Sequence, residues 1–410
     1  MLRSFRVENH RSIRAEQDLA LIPFYGAGEA VPVAAVYGAN ASGKSNLFDA
    51  LSFMSSAVRD SFGRWSPDGG VPRQPFKLDA ASAAQPSGFC VDFVLDGVRH
   101  AYGFTVDSRA VLTEWLHSYP VKRQRVLFER EGGNVKVGST VGDLRGKLDV
   151  LTSLMRPNAL FLSVAAQSNV SLVAPIYRFL TEQLVFRSRD SRPQDLDQVI
   201  RALRDQHERD RVVEMVRDAD LGITDIELVP RSRAEVLLRD ALVEHGGPAL
   251  PVSEELRFTH SGSPHTLSFD EQAAGTKAWI RLVPAVLEAL DEGKTLLLDE
   301  VDYILHPQLT AMMIRLFQDV ETNGRQAQLV VITHDIALLG TMLGDDVLLR
   351  DQVWFMEKGA DGASTLFPLV AFRPRLGENA ERRYISGSYG GVPNLIGTEF
   401  ANAVLSRRAS

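Results

Sequence analysis

A single cysteine, Cys90, in 410 residues excludes an intramolecular disulfide, and its isolation excludes the paired spacing of a cysteine metal site. It reads as a core residue of a chain suited to a reducing compartment. No apolar stretch approaches the roughly 20 residues that a membrane span needs. The N-terminal MLRSFRVENHRSIR is basic but lacks the apolar centre of a signal peptide. A cytoplasmic protein with no membrane partner is therefore expected. A basic surplus is also missing: the formal charge is -7, so any nucleic-acid contact must come from a local patch rather than from the field of the whole molecule. Neither a long heptad pattern nor internal repeats occur. What the chain does have is 45% hydrophobic residues, enough to build the core of one large or two ordinary domains.

Between Gly38 and Ser45 the sequence reads GANASGKS, the pattern of a loop whose backbone N–H groups wrap the phosphates of ATP. Gly38 and Gly43 permit the tight turn, and Ala39, Asn40, Ala41 and Ser42 supply the backbone between them. Lys44 is placed to reach the β- and γ-phosphates, and Ser45 to ligate Mg²⁺. Val33 to Val36 before the loop read as a buried strand. After it, Leu47, Leu51, Met54 and Val58 recur at helical spacing, so the loop, with Asn46 following, opens a helix whose dipole favours phosphate.

From Gly88 to Arg130 the pattern changes to period two, with Asp-Gly at a hairpin turn, which predicts an antiparallel sheet. Residues 170 to 260 read as helical and then strand-like. Within them, positions 187 to 218 hold eight arginines matched by eight Asp and Glu, the signature of a salt-bridged helical face rather than a DNA-binding stripe. Thr276 to Leu290 are apolar at helical spacing, and Gly293 precedes an apolar strand that ends in Asp299 and Glu300. Asp299 would hold the Mg²⁺ shell and Glu300 would polarise the attacking water. Leu329 to Ile332 form a further strand leading to Thr333-His334-Asp335, where His334 could touch the γ-phosphate and hold Glu300.

The order of these motifs resembles the ABC-type ATPases, specifically the RecF, SMC and OLD-like branch. ENHRSI at Glu8 to Ile13 looks like the N-terminal turn of that branch, which implies that Arg11 and Ser12 lie beside the nucleotide. ALFLSVAAQ is similar to the stretch carrying the Q-loop glutamine, which implies a Mg²⁺- and γ-phosphate-sensing role for Gln167. DEVDYILHP continues into what looks like the D-loop, with Asp302 and His306 near a dimer seam. The shared strings GTKAW, DEVD-x-x-LHP, THD, WF-x-EK and YG-x-VP make the RloA-like AAA family ATPases of bacterial defence loci the nearest resemblance.

One motif departs from that pattern. The resembling ATPases close head to tail, a signature loop of one subunit capping the γ-phosphate of the other, and the RloA-like form is E-S-x-G-T. Here Ala273 stands at the serine position, followed by Gly275 and Thr276. A rival register would take Leu267 to Glu271 as the signature, with Phe269 crowding a place that needs close backbone approach.

The expected fold is α/β: an ABC-type P-loop NTPase of two lobes, an antiparallel sheet and a mostly parallel sheet flanked by helices, with a short helical arm. Within this single domain the expected divisions are residues 1–168, 169–260, 261–370 and a C-terminal extension, 371–410. The resemblance implies a homodimer closed by ATP and Mg²⁺, with a higher oligomer left open. No nuclease signature follows residue 371, so a nuclease or toxin effector is expected on a separate polypeptide, in anti-phage defence. DNA repair is the rival setting, and a non-hydrolysing scaffold, suggested by Ala273, the rival class. Arg373, Arg375, Arg382 and Arg383, facing only Glu378 and Glu381, form the one locally basic stretch and are a candidate docking place for the effector or for nucleic acid.

Overall fold

Val33 to Tyr37 are buried without exception, which a strand achieves only when both of its faces are covered. That constraint organises the computed structural model, which describes residues 1–25, 28–121, 123–188, 193–219, 221–230, 254–300, 305–373 and 379–392. In chain order β1 (Leu2–Glu8), β2 (Gln17–Ala20) and β3 (Val33–Tyr37) precede a helix, Lys44–Asp60. Then come β4 (Ser87–Leu95), β5 (Val98–Val106), β6 (Val111–Tyr119), β7 (Arg125–Glu131) and β8 (Asn134–Val137). β9 (Leu184–Ser188), β10 (Ile223–Pro230), β11 (Glu254–His260) and β12 (Thr266–Ser268) follow. The chain continues through β13 (Thr295–Asp299), β14 (Gln328–Ile332), β15 (Val353–Lys358) and β16 (Ser364–Pro368).

The strands form the two principal sheets that the sequence predicts. One is antiparallel, in the order β2-β1-β4-β5-β6-β7-β8. Asp96 and Gly97 sit at φ +50° and +72°, the doubly left-handed turn that lets Leu95 pair with Val98 and joins β4 to β5 tightly. The other runs β16-β15-β3-β14-β13-β9, parallel except for the edge strand β16. β9 falls inside residues 169–260 yet pairs with β13 at the edge of this parallel sheet. A small antiparallel sheet, β10-β11-β12, stands apart from both.

Side chains alternate across the parallel sheet, so it separates two cores. Ala34 and Val36 point into one, with Leu47, Leu51, Met54 and Val58 of the first helix and the antiparallel sheet. Val33, Ala35 and Tyr37 point into the other, with the helix Ala274–Glu292. The helices Pro193–Arg204 and Gln206–Asp218 bury Val199, Leu203, Val212 and Val216 in that second core. Their charges are used in ion pairs, Arg209 to Asp225 at 2.8 Å and Arg211 to Asp291 at 2.6 Å among them.

A buried carboxylate joins the antiparallel sheet to the helix Phe161–Gln167. Glu114 on β6 accepts the backbone N–H groups of Phe161 at 2.6 Å and Leu162 at 2.9 Å, together with the Tyr102 hydroxyl at 3.0 Å. It thus satisfies donors that every helix start leaves open. Arg130, 3.5 Å away, neutralises it and donates to the carbonyl of Ala159. Burial pushes the Glu114 carboxyl up, opposed by Arg130 and the two N–H groups.

Removing one partner of such a pair leaves a buried charge without compensation. Glu114→Ala should therefore lower unfolding stability by about 3–5 kcal/mol, measured by urea denaturation. Glu114→Gln, which keeps an acceptor for the helix, should lose less. A midpoint unchanged in both variants would show that this joint carries no stability.

Candidate functional site

The carboxyl ends of β3, β13 and β14 lie side by side, and each leads into one of the motifs read from the sequence. Such an edge is where open α/β sheets take their ligands. After β3 the chain turns through Gly38 to Gly43 into the helix Lys44–Asp60. Ala41 sits at φ +63° and Gly43 at φ +106°. A Cβ on Gly43 would strike the hydroxyls of Ser364 and Ser12, and one on Gly38 the carbonyl of Met356, so the two glycines are required by space as well as by conformation.

Lys44 is buried, and its ammonium donates to the carbonyls of Gly38 at 2.9 Å and Ala39 at 3.1 Å, which holds the charge over the loop. Ser42 Oγ is buried without a hydrogen-bond partner, an orphaned polar atom that a phosphate oxygen would satisfy. The Ser45 hydroxyl donates to Asp299 Oδ1 at 3.1 Å. A hydroxyl and a carboxylate in contact are the hard oxygen donors that suit Mg²⁺, so this loop and the end of β13 fit a magnesium nucleotide.

Glu300, the residue after β13, holds φ +54°, a conformation that costs a non-glycine residue about 1–3 kcal/mol. Its N–H donates to Ile332 O at 3.2 Å, the last residue of β14. Two residues beyond that strand, His334 Nε2 lies 3.5 Å from Glu300 Oε1, both side chains about one-third exposed. Tyr37 of β3 donates its hydroxyl to the carbonyl of Asp335 at 3.0 Å, tying the histidine segment to the strand that leads into the loop. Burial raises the Asp335 carboxyl, with the Ala337 N–H and the His306 charge acting the other way.

The ENHRSI element packs against the loop through strained backbone, with Asn9 at φ +51° and Arg11 at φ +49°. Arg11 Nε and His10 Nε2 each lie 2.7 Å from one oxygen of Asp49 on the first helix. Ser12 belongs to a chain of hydrogen bonds. Asn46 Nδ2 donates to Ser12 Oγ at 2.6 Å, Ser12 contacts Ser364 Oγ at 2.7 Å, and Ser364 donates to Ser42 O at 2.6 Å. Asn46 and Ser12 therefore brace the loop with their side-chain polar groups. Ser364, on β16, is a site residue that sequence reading missed.

Gln167 is corrected by the structure. It ends a helix rather than approaching the metal position, and its Nε2 donates to Arg59 O at 3.3 Å, in the last turn of the helix that Lys44 begins, roughly 20 Å from Ser45. It cannot ligate a cation held by Ser45 and Asp299. The residue that does lie beside Asp299 is Ser188, its register partner at the end of β9. Only the short apolar run Leu184 to Phe186 signals that strand in the sequence.

Ala273 is the N-cap of the helix Ala274–Glu292 and supplies no side-chain cap, so Gly275 and Thr276 lie in an open first turn. In the rival register Phe269 is buried against Phe258 beneath Arg281, and Ser268 is tied to Glu271, whose carboxyl its N–H and hydroxyl hold low. Ala273, Gly275 and Thr276 share a cavity of ≈ 500 Å³ with His306, Leu309 and Met312. His306 caps the helix Pro307–Gln318 by accepting from Gln308 N at 3.3 Å. Asp302, Arg375 and Glu378 lie outside the described residues. Among the described residues no helix is long and apolar enough to cross a membrane, and no cluster of three metal-binding side chains occurs.

Residues 33–340 match the model of a family described as AAA domain, putative AbiEii toxin, Type IV TA system. No curated protein matches the chain. Among solved structures it is similar to an SMC head domain from Thermotoga maritima, 16% identical over 90% of this chain and 98% of that one, with a TM-score of 0.39. It is also similar to an Smc head bound to the C-winged helix domain of ScpA, 14% identical over 89% and 96% of the two chains, with a TM-score of 0.41. A third is an Smc head with an extended coiled coil bound to the C-terminal domain of ScpA derived from Pyrococcus furiosus, at 13% identity, 91% and 97% coverage and a TM-score of 0.39.

The enclosure of Gly43 makes a sharp prediction. Gly43→Ala forces a side chain into the left-handed region and against two hydroxyls, so it should abolish binding of a fluorescent ATP analogue as fully as Lys44→Ala does, with the circular dichroism spectrum of the fold retained. Wild-type affinity in Gly43→Ala would contradict the loop geometry.

Proposed function

The chain belongs to the AAA-domain family that residues 33–340 match, and we propose that within it the protein is a slow Mg·ATP hydrolase that closes as a homodimer and thereby controls a separate effector. The observation that carries this reading is the pair of contacts at one sheet edge, Ser45 to Asp299 and Glu300 to His334. Lys44 and the loop N–H groups bind and orient the β- and γ-phosphates. Bound Mg²⁺, held by Ser45 and Asp299, would neutralise charge on the same phosphates. Glu300 orients water for in-line attack on the γ-phosphorus and takes its proton as the bond to the bridging oxygen breaks and ADP leaves. His334 holds Glu300 in place and is within reach of the γ-phosphate.

Only part of the pocket is present in one subunit. The open helix start at Ala273 to Thr276, sharing its cavity with His306, supports a head-to-tail dimer in which each copy caps the nucleotide of the other. The strings shared with RloA-like ATPases, beside a family description that names a toxin–antitoxin system, support a setting in bacterial anti-phage defence, and the resemblance alone suggests a toxin or nuclease as effector. The ion pairing of the arginines in the helices Pro193–Arg204 and Gln206–Asp218 weighs against a DNA-binding face there.

Glu300→Gln should bind ATP as the wild type does, stop hydrolysis, and shift the protein to a stable dimer by light scattering. A Glu300→Gln protein that stays monomeric at saturating Mg·ATP contradicts the dimerising switch. Ala273→Ser restores a hydroxyl whose charge-assisted hydrogen bond is worth about 1.5–3 kcal/mol, and should speed turnover or tighten the dimer by about one to two powers of ten. Ser268→Ala should change little. The reverse pattern would assign the signature to Leu267 to Glu271.

A further inference from the structure

The segment from Ala380 to Val392 touches two parts of the proposed site. Its helix, Ala380–Ile385, buries Tyr384, whose ring stacks on Phe355 at 5.3 Å and meets Tyr37 edge-on at 5.7 Å. Tyr37 and Phe355 are register partners on β3 and β15, so this aromatic group sits directly behind the strand that leads into the phosphate loop. The Tyr384 hydroxyl donates to Gly391 O at 3.2 Å, and the backbone N–H of Gly38, the first glycine of the loop, donates to the Tyr384 hydroxyl oxygen.

Gly390 and Gly391 both hold left-handed backbone, at φ +69° and +67°. The turn they make brings Gly391 so close to the loop that a Cβ there would stand 3.6 Å from Gly38 Cα. On its other side the same helix packs on Ile336–Leu339, the single 3-10 turn that follows His334 and Asp335. There the Glu381 carboxylate lies 2.8 Å from the place a Cβ on Gly340 would occupy. Tyr37 closes the circuit by donating to Asp335 O. One short helix thus braces the first glycine of the loop and the segment that carries His334.

We propose that Tyr384 is a positioning residue for nucleotide binding, and that the Ala380–Ile385 helix with its Gly390–Gly391 turn is a strut holding Gly38 and the His334 segment in register. The proposal rests on the reading that Gly38 to Ser45 bind ATP. Its physical content is a population argument: with Gly38 released, the loop occupies its phosphate-binding shape for a smaller fraction of the time, and the apparent affinity falls by that fraction. The Tyr384 hydroxyl touches no nucleotide in this scheme and acts through Gly38 and the Gly391 turn packed against it.

The test uses the full chain, a fluorescent ATP analogue with Mg²⁺, and the melting temperature of the nucleotide-free protein. Tyr384→Phe keeps the ring stacking and removes the hydroxyl, so the dissociation constant should rise about fivefold to tenfold, the ratio one lost hydrogen bond gives. Over a chain of this size the melting temperature should move by no more than about 2 °C. Ile385→Ser, on the exposed face of the same helix, should bind as the wild type does. A Tyr384→Phe protein that binds within twofold of a binding-competent wild type overturns the strut, whether or not it melts lower. Equal weakening by Ile385→Ser overturns it too, because helix integrity and not the hydroxyl would then be the cause. A wild type that binds no nucleotide overturns the ATP reading itself.

Discussion

The two-sided burial of β3 is the constraint from which the rest follows. A strand with no exposed face must lie inside a sheet and be covered by a layer on each side. β14 and β15 flank it in parallel, and the antiparallel sheet with the first helix covers one face while the helix Ala274–Glu292 covers the other. Parallel pairing puts the ends of β3, β14 and β13 on one edge. Three segments far apart in sequence therefore deliver Lys44, His334 and the Asp299-Glu300 pair to one place without any of them needing a long loop.

The loop itself is held by many small contacts. Ser364 from β16, Ser12 and Asn46 form a chain of hydrogen bonds that ends on the carbonyl of Ser42. Lys44 lies across the carbonyls of Gly38 and Ala39. Each such bond contributes about 0.5–1.5 kcal/mol, and together they fix a backbone that would otherwise have many shapes. Glu300 works differently, since its left-handed backbone is a strain that the surrounding strands must offset. The loop reaches the end of β13 through the contact between Ser45 and Asp299, one residue before the strained Glu300.

What was legible in the sequence was local. GANASGKS, the buried run before it, the Asp96-Gly97 turn and the strand ending in Asp299 declare themselves through spacing within a few residues, and the structure forms each of them as read. What was not legible depends on packing. Ser364 meets Ser42 across 322 positions, and no pattern in the chain couples a serine on an edge strand to the loop. Nothing in the sequence singles out Tyr384, whose hydroxyl lies between Gly391 and Gly38. Gln167 was placed by resemblance alone, and in the structure Phe161–Gln167 is a helix that ends beside Arg59, far from Asp299. The strand that does approach Asp299, β9, is too short to stand out among the helices around it.

In the proposed dimer each ATP site is completed by a second copy of the chain. Mixing two inactive variants tests it directly: Lys44→Ala, which lacks a working phosphate loop, and Gly275→Arg, which blocks the open helix start. In freely exchanging dimers of a 1:1 mixture half are mixed and each mixed dimer has one complete site of two, so the ATPase rate should recover to about one quarter of the wild-type value. No recovery on mixing, with both variants folded and dimer formation verified, would contradict the shared site.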